Sequence, residues 1–224
     1  MNIRLIILFF LSTIMSANSF SQKEDFVWFS GGSHFGGGSI NFFKFNDSSF
    51  IKDFVVLPNP LMVRDGSGKA TIADNEGNLL FYTDGFDVYN LHHRIMEKGD
   101  SVFAIEGQLL NYYSFPSGVN IPDWTIILPS LEKENEYYLF YLGIKDDEIS
   151  PSQFRGSGLN YSIIDISKND GLGEVIEKNL NLIDLKSNHG SLQAIRHANG
   201  RDWWILVREM LNARWHVFFW TTEV

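Results

Sequence analysis

Lys69 to Gly85, KATIADNEGNLLFYTDG, is the stretch whose reading decides the fold. Two β-rich runs, Ala70–Ala73 and Leu79–Thr83, flank a turn containing Glu76-Gly77-Asn78, and a second turn, Asp84-Gly85, closes the second run. Tight hairpins demand positive φ, which glycine adopts without steric cost. Aromatic and β-branched side chains suit the half-buried pleated surface on either side. Residues 87–90 continue as an outer strand, and 92–96 are expected to add a short further one.

The same form recurs. Leu192 to Glu209 (LQAIRHANGRDWWILVRE) is a strand, an Asn-Gly turn and a strongly aromatic strand. Thr125 to Ile144 (TIILPSLEKENEYYLFYLGI) repeats it with a longer turn. The runs SINFFKF (39–45), LNYSIID (159–165) and WHVFFW (215–220) are expected as third strands of such units. Further strands are expected at residues 25–30 and 50–57, and the glycine-rich run Gly31–Gly38 is expected as a wide hairpin turn, since no lysine or helix start follows it to cradle a phosphate. Equivalent strands lie about 58 and 66 residues apart, wider than the roughly 40 to 50 of common blade repeats, so the units would carry insertions. The expected fold class is all-β: antiparallel blades of a β-propeller, partial, with about three to four blades. A β-sandwich is the architectural alternative, but it leaves the recurrence unexplained.

Composition agrees. The 224 residues include 19 Phe, 8 Tyr, 6 Trp and 19 Gly, an aromatic and glycine content typical of strands and turns. Met1 to Ser21 has the three-part form of a secretory signal peptide: basic Arg4, the apolar run Leu5–Leu11, then small polar residues. The apolar run is shorter than the roughly 20 residues a membrane span needs. The expected organisation is therefore a signal peptide at 1–21 and blades over 22–224, with no membrane span after cleavage. Without Arg4 the mature chain has 17 basic residues against 27 acidic ones, which argues against nucleic acid as a partner. The chain has no Cys, which fits export in a bacterial envelope.

These residues also carry a resemblance. DNEGNLLFYTDGFDVYN (74–90), HHRIM (92–96), GLNYSIIDIS (158–167), GLGEVIEKN (171–179) and AIRHANGRDWWIL (194–206) look like segments of secreted Bacteroidetes WD-like β-propeller proteins. The resemblance runs from about Asp25 to the end. It implies a signal peptide, WD-like blades and, often, a C-terminal sorting domain for type IX secretion, which is absent from this sequence. It implies no catalytic residues. The chain ends at Val224 just after WHVFFW, which reads as a core strand, so an open edge is expected, with partner blades or an oligomer to cover it.

Candidate chemistry is sparse. The histidines (34, 92, 93, 189, 197 and 216) have no metal-ligand spacing, and structural roles are expected for them. Asp74, Glu76 and Asp84, and likewise Asp146, Asp147 and Glu148, read as solvated turns rather than calcium loops. Gly66-Ser67-Gly68 and Gly156-Ser157-Gly158 lack the spacing of a nucleophile elbow. No catalytic residue, metal ligand or cofactor is assigned. The candidate ligand-binding residues are Trp203, Trp204 and Trp124. Because neighbours on a strand point to opposite faces, one of Trp203 and Trp204 is expected inside and the other available to a ligand. The expected function is an exported cell-surface binding or scaffold module for a protein or glycan. The alternatives are a secreted polysaccharide-acting hydrolase with a site in the propeller channel, and a truncated nonfunctional remnant.

Overall fold

The computed structural model describes residues 27–34, 37–45, 50–56, 68–103, 124–146, 154–209 and 214–222. The signal segment expected at 1–21 lies outside them. Among the described residues, thirteen strands form four antiparallel sheets, so the chain is all-β. The first sheet holds β1 (Val27–His34), β2 (Gly37–Phe45) and β3 (Phe50–Val56). The second holds β4 (Ala70–Ala73), β5 (Leu79–Thr83) and β6 (Val88–Asn90). The third holds β7 (Thr125–Pro129), β8 (Glu136–Asp146), β9 (Phe154–Asp165) and β10 (Glu174–Ile183). The fourth holds β11 (Ser187–Arg196), β12 (Trp203–Glu209) and β13 (Trp215–Trp220). Every sheet is a meander, its strands hydrogen-bonded in chain order.

The three recurrent segments of the sequence are β4–β5, β7–β8 and β11–β12, in each case the first hairpin of a sheet. The fourth such hairpin, β1–β2, stands where strands were expected at 25–30 and 39–45, but its glycines conceal how far the strands run. Gly31 pairs with Ile40, Gly32 with Ser39 and His34 with Gly37, so most of the expected wide turn is strand. As a result SINFFKF is the second strand of its sheet and not the third. The segment 92–96 is largely a turn, with a single antiparallel bridge from Ile95 to Tyr89.

Local side chains fix the turns. The Asp74 carboxylate accepts from the backbone N–H groups of Glu76 (2.9 Å) and Asn78 (2.7 Å), while Gly77 takes φ 82°. Asp84, fully buried, accepts from the N–H groups of Phe86 (2.9 Å) and Asp87 (2.8 Å) and from the Tyr89 hydroxyl (3.0 Å). A buried carboxylate is tolerated only when its lone pairs are answered in this way.

The sheets stack face to face in chain order. Phe42 of the first meets Tyr82 of the second edge-on at 5.5 Å. Phe81, the neighbour of Tyr82 and so on the opposite face of β5, meets Tyr137 of the third sheet at 5.4 Å. Tyr138 and Phe140 on the far face of β8 meet Trp220 of the fourth at 5.0 and 5.1 Å. The third sheet is thereby covered on both sides. Leu139, Phe140, Tyr141 and Leu142 are all buried, and the alternation of a half-exposed strand is lost.

The first strands of successive sheets lie side by side: β1 beside β4, β4 beside β7, and β7 beside β11. Hydroxyls stitch this inner side together. Thr71 donates to the Val27 carbonyl, and Thr125 to that of Gly68 at 3.3 Å. Further out, the segment after β6 clasps the third sheet through a parallel bridge from Glu97 to Glu174. The N–H of Val175 donates to Glu97 (3.0 Å), and Lys98 pairs with Glu174.

Candidate binding face

The two tryptophans in sequence on β12 are separated by the pleat. Trp203 turns inward with Ile205 and Val207 and packs against the core shared with the third sheet. The Arg196 guanidinium covers its ring at 5.2 Å. Trp204 turns outward, paired with Ile195 of β11 and Phe219 of β13. Two residues along, on the same side of the strand as Trp204, Leu206 pairs with Val217, and two further on, Arg208 pairs with Trp215. The outward face therefore presents Ile195, Trp204, Trp215, Val217 and Phe219 together, each between 37% and 55% exposed. Scattered exposed apolar residues are ordinary, but a contiguous set on one sheet marks a contact surface.

Its centre is aromatic. The rings of Trp204 and Phe219 lie 4.5 Å apart, and His197 stands edge-on to both, at 5.7 and 5.1 Å. The turn between β11 and β12 holds His197 in place. The Asn199 side chain accepts from the N–H groups of Arg201 and Asp202, both at 3.0 Å, and the Asn199 N–H donates to His197 Nδ1 at 3.2 Å. Gly200 takes φ 73° at the apex. Asp202, buried at the end of the turn, accepts from Arg201 Nε at 2.7 Å and from the Asn199 amide at 2.6 Å. The Arg201 hydrogen bond, with help from Asn199, draws the Asp202 carboxyl down to about 2.

Trp124 lies elsewhere, 1% exposed, stacked on Phe103 at 5.7 Å. Its indole fills the space against Gly68, where an added Cβ would sit 1.9 Å from Nε1. Of the three candidate tryptophans, the structure brings Trp203 and Trp204 to opposite faces of one strand and leaves Trp124 in the core. His197, Ile195, Phe219, Val217 and Trp215 were not among the ligand-binding candidates of the sequence, and His197 was expected in a structural role. WHVFFW was expected as a core strand, and β13 is instead the edge strand of its sheet, with every second residue exposed. The alternation Trp215, Val217, Phe219 was the available signal for that face.

The remaining sequence candidates are dispersed. His93 sits in the turn after β6 and packs on Phe42 (5.0 Å) and Tyr82 (5.8 Å), and this burial lowers its pKa. Asp74 caps its own turn, accepting from the Glu76 N–H, and Asp84 is committed to the buried network above. Asp147 and Glu148 lie outside the described residues. Among the described residues, no three His, Asp or Glu side chains converge as metal ligands. No helix among them is long and apolar enough to cross a membrane.

No family model, curated protein or solved structure matches the chain.

Proposed function

We propose that this chain is an exported, cell-surface binding or scaffold module of the propeller type, related to the secreted Bacteroidetes proteins its sequence resembles, and that the outward face of its fourth sheet is where it binds. Consecutive meander sheets stacked with their first strands adjacent are the arrangement of propeller blades, and this supports reading the four sheets as blades. The observation that carries the binding role is the set of five large apolar side chains exposed on one sheet around the Trp204–Phe219–His197 cluster. Desolvating such a face is favourable, and its aromatic planes accept either apolar protein surface or the flat faces of sugar rings.

The test uses the chain produced in an export-competent bacterial host. Recovery outside the cytoplasm at the mass expected after removal of about 21 residues supports export. Retention at full mass counts against it. Trp204→Glu, on the outward face of the sheet, should keep the circular dichroism of the parent and lose most of the binding of an apolar fluorescent dye. Equal dye binding by parent and variant would overturn the assignment of this face. Quenching of tryptophan fluorescence by xylo- or cello-oligosaccharides in the parent, absent in the variant, would specify a glycan.

A further inference from the structure

The three joints between sheets share one construction. In each, aromatic side chains on the leading face of one sheet meet aromatic side chains on the trailing face of the next: Phe42 on Tyr82, Phe81 on Tyr137, and Tyr138 and Phe140 on Trp220. Among the described residues, four sheets joined three times leave one leading face and one trailing face over. The leftover leading face is that of the fourth sheet, with Trp204, Trp215 and Phe219. The leftover trailing face belongs to the first sheet. There Trp28, 59% exposed, pairs in register with Phe43, which pairs in turn with exposed Lys52, and Trp28 meets the Phe45 ring edge-on at 5.4 Å. The opposite face of that sheet, with Val27, Ile40 and Phe42, is buried against the second.

We infer that these two faces pair with each other between copies of this chain, the fourth sheet of one copy seating on the first sheet of the next. The inference rests on the reading of the Trp204 face as a binding surface and names its partner. The argument is continuity: the same aromatic-on-aromatic joint, in the same direction along the chain, occurs three times among the described residues, and the two remaining faces carry exposed aromatic side chains, Trp204, Trp215 and Phe219 on one and Trp28 on the other. A contact that joins two different faces is heterologous, and it yields a closed ring or a growing series according to the rotation it imposes. A pairing of two identical Trp204 faces would instead reverse the direction that every internal joint keeps.

The two modes are separated by complementation. Light scattering with size-exclusion chromatography, at up to about 100 µM chain, should show association of the parent. Trp204→Glu and Trp28→Glu should each be monomeric with unchanged circular dichroism. Mixing the two variants should restore a dimer, because each retains the face the other lacks. Association of Trp28→Glu like the parent would overturn the inference in favour of identical faces meeting. A parent that stays monomeric while its Trp204-dependent dye binding persists would overturn the pairing and leave the binding face standing. Loss of both would remove the binding face as well. Should either glutamate variant fail to fold, Trp204→Ser and Trp28→Ser carry the same comparison.

Discussion

At the scale of single residues, the fold is sensitive where rigid groups meet without slack. Gly68 lies against the Trp124 indole, and a methyl group there would overlap Nε1 and Cδ1 at 1.9 and 2.7 Å. A buried, stacked indole has no free rotamer to retreat into, so Gly68→Ala should cost about 1–3 kcal/mol, read as a lower urea midpoint with an unchanged slope. Asp202 gives the pH dependence its direction. Its carboxyl falls from the ordinary 3.8 to about 2 in the fold, chiefly through the Arg201 hydrogen bond. The stability it contributes is therefore complete above about pH 4 and is lost as the pH drops through 2. Asp202→Asn should flatten the acid limb of a melting-temperature profile between those values and leave the slope above pH 5 unchanged.

At the scale of elements, the outer edge of the third sheet separates packing from charge. Val175 of β10 is buried, whereas Lys98, the partner of Glu174, is exposed. Val175→Ala should cost about 1–2 kcal/mol and Glu174→Gln less than about 1, compared by thermal unfolding. The same strand shows what the sequence conceals. The hairpins β4–β5, β7–β8 and β11–β12 were legible because turn chemistry and alternation coincide in them. Strand β10 was not, because shifts of register after Val175, Glu177 and Asn181, with Asn179 at φ 56°, break the period of two. The far half of strand β1 was obscured for a different reason: glycine has little strand preference, yet the pairing with β2 extends through Gly31 and Gly32. Of the binding face, the opposed orientation of Trp203 and Trp204 could be read from the pleat alone. The company of His197 and Phe219 depends on the register across three strands, which a single sequence does not state.

At the scale of the whole molecule, burial is graded along the stack. Strand β8 is covered on both faces, while β13 alternates exposed and half-buried residues at the edge of its sheet. Amide hydrogen exchange should accordingly be slowest in residues 139–142 and faster by at least about a hundredfold in 215–220, with β13 opening below the global unfolding free energy. Uniform protection across the four sheets would contradict this gradient. The joints between sheets have one further consequence. Because each is made by aromatic side chains on the facing sides of successive meander sheets, a duplicated sheet inserted between two others would find a compatible neighbour before it and after it. A protein assembled in this way can change its length by whole units, one copying event at a time, without any established core having to be rebuilt.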